Sequence, residues 1–150
     1  MIKSLDHIVL TSQNIEQTTL FYCDVLGMQL ETFSPPDGGQ ERKALKFGNQ
    51  KINLHDAKAP YVPHAKNPTP GAIDLCFITD TPIQDWIERF ELYKIPIESG
   101  PVKKTGATGP IMSVYVRDPD ANLIEISNKI KFCNKHSKNF TFCYSNPNKV

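Results

Sequence analysis

This chain of 150 residues lacks a strong charge of either sign. Lysine and arginine total 17 and aspartate and glutamate total 16, leaving a formal net charge of +1. No basic stripe marks any predicted helix, so the electrostatic footprint of a nucleic-acid binder is missing. Long apolar runs are absent too, and none approaches the roughly 20 residues that span a bilayer. The opening "MIKSLDH" has no signal-peptide apolar core, and the mature chain is expected to begin there, in the cytoplasm. Cysteine is sparse, with four residues and no CxxC spacing. That excludes a disulfide scaffold and the strong zinc patterns, and Cys23 and Cys76, in apolar segments, read as reduced core thiols.

What is present is a pattern that occurs twice. "HIVLTS" alternates and is rich in β-branched residues, which predicts a strand. Asn14 is placed to cap a helix carrying Ile15, Thr19, Tyr22 and Leu26 at helical spacing. Gly27 suits the left-handed position after its last turn. "QLETFS" and "ERKALKFG" follow as strands around "PPDGG", and "QKINLHDA" is a further strand. The proline-rich stretch "PYVPHAKNPTPG" reads as a linker. Then "AIDLCFIT" restarts the layout. Thr81 is the expected cap, Pro82 the first helical residue, and Ile83, Trp86, Ile87, Phe90 and Tyr93 the core stripe. "IPIES" is a strand, "GPVKKTGATGP" a long glycine-bearing loop able to close over a ligand, and "DPDAN" a turn between "IMSVYVRD" and "LIEISN".

His7 and Asp74 are separated by the same interval as the two caps Asn14 and Thr81, so each half is β-α-β-β-β. The predicted fold class is α+β: two paired β-α-β-β-β units forming a cup-shaped mixed sheet, with helices outside. The expected division is one domain over 1–130, with units at about 4–57 and 71–129, a linker at 58–70 and a polar extension at 131–150. In that extension His136 with Cys133 and Cys143 matches no strong zinc spacing, and the sequon at Asn139 matters only in a secreted protein.

Strand parity then sorts the polar residues. If Ile8 and Leu10 face a helix, His7, Val9 and Thr11 face away from it. By the same rule Asn53 and His55, Asp74 and Cys76, and Glu125 and Ser127 face the inside of the cup, where His7, His55, Asp74 and Glu125 are expected to converge. A carboxylate inside an apolar strand is costly to bury unless paired or bound to metal. Two carboxylates and up to two imidazoles on such faces predict a divalent cation acting as an electrophile. Lys104, Thr105 and Arg117 are rim candidates for contact with an anionic substrate.

The paired units, with "LDHIVL", "FYCDVLGM" and "DPDANLIEIS", resemble the vicinal oxygen chelate superfamily over roughly residues 4–128. It includes glyoxalase I, extradiol dioxygenases, fosfomycin-resistance enzymes, methylmalonyl-CoA epimerase and bleomycin-binding proteins. "KINLHDA", "DLCFIT" and "TGATGPIMSVYVRDPDANLIEISN" are similar to the glyoxalase domain-containing 5 group. The resemblance implies metal ligands on the first and last strand of each unit. That maps His7 and Glu125 directly, puts Asp74 where histidine is usual, and puts Asn53 where glutamate is frequent, with His55 available nearby. Ala121 stands where the turn often has glycine.

The implied function is a metal-dependent enzyme (Fe, Mn, Zn, Ni or Mg) acting on a small oxygen-chelating substrate by lyase, isomerase or ring-cleaving dioxygenase chemistry. His7, His55, Asp74 and Glu125 are the candidate ligands and Glu125 the catalytic carboxylate. Asn53, Lys104, Thr105 and Arg117 are the candidate substrate contacts. The alternative is a metal-free, drug-sequestering protein of the same fold. The resemblance also implies a homodimer, while the balanced charge and the lack of a long apolar run predict neither nucleic acid nor membrane as a partner.

Overall fold

A computed structural model describes residues 1–36 and 38–130. The expectations for 131–150, including Cys133, His136, Asn139 and Cys143, lie outside the described residues. Among the described residues two four-stranded sheets form, and no closed barrel. The first orders its strands β1 (His7–Ser12), β4 (Gln50–Asp56), β3 (Arg42–Phe47), β2 (Gln29–Phe33). The second orders β5 (Asp74–Ile78), β8 (Leu123–Lys129), β7 (Gly109–Arg117), β6 (Ile97–Gly106). In both, the first strand pairs parallel to the last and the other ladders are antiparallel. The fold is α+β with a duplicated β-α-β-β-β unit. No helix among the described residues is long and apolar enough to cross a membrane.

Helix α1 (Ile15–Leu20) starts where Asn14 Oδ1 accepts from the backbone N–H groups of Glu16 and Gln17, each at 3.1 Å. It continues as wider π-type turns over Phe21–Val25 and ends at Gly27, whose φ of +76° needs no Cβ. Helix α2 (Ile83–Leu92) is capped differently from the sequence expectation. Pro82, not Thr81, holds the cap position and supplies no side-chain bond. Asn128, arriving from β8, accepts from the Ile83 N–H at 2.9 Å and donates to the carbonyls of Thr79 and Thr81. Tyr93 is not core stripe: it follows the helix, 43% exposed, with Arg89 against its ring. Arg89 also reaches the carbonyls of Asp24 and Val25, tying α2 to the end of the first helical segment.

The core joins both units. Leu10, Tyr22, Leu45, Ile52 and Leu54 pack in one cluster with Trp86, Phe90, Val114, Val116, Ile124 and Ile126. Phe47 and Phe77 meet edge to face across the units at 5.3 Å. The turn after β7 locks the halves together. Buried Asp118 accepts from the Tyr22 hydroxyl and from Asn122, while Asp120 accepts from the Gln13 N–H and the Thr18 hydroxyl.

The predicted long loop "GPVKKTGATGP" is mostly strand. β6 runs through Lys103 and Lys104 to Gly106 in register with β7, leaving only a tight turn at 107–108. The register shift near Gly100 explains why proline at 101 does not end it. A Cβ on Gly100 would meet the Ser113 carbonyl at 2.5 Å. Lys104 and Thr105 therefore sit on a paired strand, opposite Ile111 and Pro110, rather than on a closing loop.

Candidate functional site

The strand parities expected from sequence hold. Ile8, Leu75 and Phe77 pack against the core, while Val9 and Ile78 remain 44% and 50% exposed on the opposite faces. Cys76 shares that exposure and is not a core thiol. Cys23 is half-buried, and both are free.

On the helix-free side of the second sheet lies a half-open concavity of ≈ 480 Å³ lined by Asp74, Cys76, Lys104, Tyr115, Leu123 and Glu125 among others. Ladder register builds it. Cys76 stands beside Glu125 on the parallel pair β5–β8, and Tyr115 stands opposite Glu125 on β7–β8. The Ser127 hydroxyl donates to Glu125 Oε1 at 3.3 Å, and the Tyr115 phenol lies near enough for this carboxylate to raise its pKa. Behind them Ser113 and Ser127 share a buried bond of 2.8 Å, and the Cys76 thiol lies 3.5 Å from Ser127. The Lys104 ammonium sits 5.7 Å from the Tyr115 ring centroid, placing a cation over the phenol that contacts Glu125.

Two ionisations here are displaced. Burial, then the neighbouring Glu125 carboxylate, push the Tyr115 phenol up to about 12. It is thus a proton donor at neutral pH. Partial burial of its sulfur pushes the Cys76 thiol up, against the lowering bond from Ser127, so this cysteine is a poor nucleophile.

His7 stands elsewhere. Its Nδ1 is 2.7 Å from Asp6, and that hydrogen bond holds the Asp6 carboxyl below its ordinary range. It lines a small cavity of ≈ 120 Å³ between the edge strands β1 and β5, and Cys76 borders both this cavity and the larger one. His55 is buried next to Arg42, with the Tyr61 ring edge-on at 5.3 Å. Arg117 forks onto Glu98 and donates to the Ala121 carbonyl at 3.1 Å, so its charge is already matched at the rim.

The donor types of His7, Asp74 and Glu125 suit a divalent cation. Their positions in one chain do not. Among the described residues, no three His, Cys, Asp or Glu side chains gather closely enough to hold an ion. Tyr115 escaped sequence reasoning: a tyrosine alternating in a strand carries no signal until the ladder register puts it across from Glu125.

Comparison with known proteins supplies the remaining context. The family profile described as "Glyoxalase/Bleomycin resistance protein/Dioxygenase superfamily" matches residues 4–126. Virulence protein STM3117 of Salmonella typhimurium is 54% identical over 127 residues, 85% of each chain. Its crystal structure superposes with a TM-score of 0.81, covering 87% of this chain and 99% of that one at 52% identity. Glyoxalase domain-containing protein RDO1 of Mycosarcoma maydis is 48% identical over 126 residues, 84% of this chain and 68% of the relative. A lactoylglutathione lyase from Agrobacterium tumefaciens superposes with a TM-score of 0.63 at 26% identity, covering 85% of this chain and 95% of that one.

Proposed function

Because the chain belongs to the glyoxalase/bleomycin resistance protein/dioxygenase superfamily, we propose that it is an enzyme of lyase or isomerase type whose small-molecule site is the Glu125 concavity. One observation carries the reading. A carboxylate inside a strand accepts from the Ser127 hydroxyl and faces the Tyr115 phenol in a half-open hollow that also contains a lysine and a second acid. Glu125 takes a proton from a carbon or hydroxyl of the substrate. Tyr115 and Ser127 fix the oxygens of Glu125, and the Lys104 ammonium favours negative charge developing on a neighbouring substrate oxygen.

The hollow is half-open, and the described residues of one chain gather no three metal donors. Both deficits are met if two copies pair, with the His7 region of one closing over Asp74 and Glu125 of the other. A divalent cation held there would supply Lewis-acid polarisation of adjacent substrate oxygens. His55 is left out of this set because the Arg42 guanidinium beside it repels a cation. An exposed free thiol at Cys76 suits a reducing compartment such as the cytoplasm. The lyase name of the Agrobacterium neighbour favours the same chemistry.

The absence of such a triad among the described residues also favours a second reading, a metal-free binding protein. Elemental analysis and size-exclusion of the purified full chain separate the two, followed by a turnover screen with catechols and hemithioacetals. The enzyme reading expects a dimer with stoichiometric metal lost in His7→Ala and Glu125→Gln. It also expects turnover falling at least about a hundredfold in Glu125→Gln. A metal-free protein that binds a planar ligand tightly without turnover supports the second reading.

A further inference from the structure

The first sheet carries polar atoms that have no partner. Arg42 Nε, Asn53 Oδ1 and His55 Nδ1 are all buried, and none makes a hydrogen bond among the described residues. The β3–β4 register brings them together. Lys43 pairs with Leu54 and Ala44 with Asn53, so Arg42 stands opposite His55, with Asn53 two residues along the same face. Tyr61 confirms the proximity: its ring takes the Arg42 guanidinium at 4.7 Å and the His55 ring at 5.3 Å. Its own hydroxyl is anchored on the Glu41 carbonyl at 2.9 Å. His55 is 7% exposed and forms the floor, whereas Arg42 and Asn53 are half-buried and border solvent.

Buried polar groups are nearly always paired, so three orphans on adjoining positions imply an absent partner rather than chance. Charge says which kind. Among the described residues no carboxylate forms an ion pair with Arg42, whereas Lys46 on the same strand has Glu31 at 3.5 Å. His55 is no anion trap by itself, since burial and then the Arg42 charge favour its neutral form. The donor at Arg42 Nε and the acceptor at Asn53 Oδ1 ask for a ligand offering both an anionic acceptor and a hydroxyl donor.

We propose that Arg42, Asn53 and His55 form a binding site for a small hydroxy-carboxylate on the helix-free face of the first sheet. The carboxylate lies on the Arg42 guanidinium, the hydroxyl donates to Asn53 Oδ1, and His55 Nδ1 contacts the ligand from below. The site is carried by the first sheet alone and does not rest on the Glu125 reading.

The test uses the isotopically labelled full chain with EDTA present, so that failure of a metal site cannot affect it. Glycolate, acetate and glycolamide are titrated while the Arg42 Nε and His55 ring nitrogens are followed by NMR. Glycolate is expected to move both saturably, with acetate and glycolamide each weaker by about tenfold. Arg42→Gln is expected to weaken glycolate by about tenfold or more, and Asn53→Ala to erase the preference for glycolate over acetate. Should Arg42→Gln misfold, Arg42→Lys, which keeps charge but loses the planar fork, must reduce that preference. The proposal is overturned if glycolate leaves both nitrogens unmoved, if Arg42→Gln binds it as well as the parent, or if a structure grown in glycolate shows only water bridging the three atoms.

Discussion

Tyr115 and Glu125 face each other across the β7–β8 ladder, and the carboxylate raises the pKa of the phenol. Burial first, the Glu125 carboxylate second and Cys76 last raise the phenol to about 12. Replacing Glu125 by Gln removes only the second. The ultraviolet titration midpoint of Tyr115, isolated by difference against Tyr115→Phe, should fall from about 12 but stay above the ordinary 10. An unmoved midpoint would mean that the two side chains do not interact in solution.

Asn128 caps α2 from another strand, accepting from the Ile83 N–H and bonding the carbonyls of Thr79 and Thr81. Asn128→Ala should cost about 0.5–2 kcal/mol, the range for a lost cap. Thr81→Ala should cost less, because the Thr81 side chain does not cap the helix. Urea denaturation of both variants compares the two values directly, and equal losses would return the cap to Thr81.

What was legible in the sequence was whatever a short window contains. The duplicated unit, the Asn14 cap, the turn at Gly27 and the parity placing Glu125 and His55 on helix-free faces all follow from local spacing and strand alternation. Features needing a second segment were not legible. Asn128 reaches α2 across 45 residues of chain, and the Arg42–His55 and Tyr115–Glu125 relations depend on ladder registers that no window encodes. The glycines of "GPVKKTGATGP" read as loop because their local preference is for loop. Pairing with β7 overrides it, and a bulge at Gly100 absorbs the irregularity. Thr81 misled for a similar reason, since a capping residue is expected to be near in sequence when it need only be near in space.

His55 makes stability depend on pH in a direction that can be worked out. Burial, then Arg42, then His64, lower its folded pKa below the ordinary value of 6.5. The unfolded chain therefore binds the proton more readily. This contribution is fully present above about 6.5 and is lost as pH falls from there through the folded pKa. Thermal melts of the parent between pH 7.5 and 5 should show a decline that is shallower in His55→Gln. Parallel curves would show that this imidazole is not held neutral.

Ala121 sits at φ +68°, a left-handed conformation, in the turn where its N–H donates to Asp118 and its carbonyl accepts from Arg117. For a residue with a Cβ that conformation costs about 1–2 kcal/mol. Glycine removes the penalty but adds unfolded-chain entropy of about 0.4–1 kcal/mol. The difference favours glycine, so Ala121→Gly should stabilise the chain by about 0.5 kcal/mol, read as a higher urea midpoint at unchanged slope. The turn holds Asp118 and Asp120, which bind Tyr22 and the start of α1, so the gain should appear in global unfolding rather than in local fraying. A lower midpoint would mean that the Ala121 methyl makes contacts worth more than the strain of its backbone.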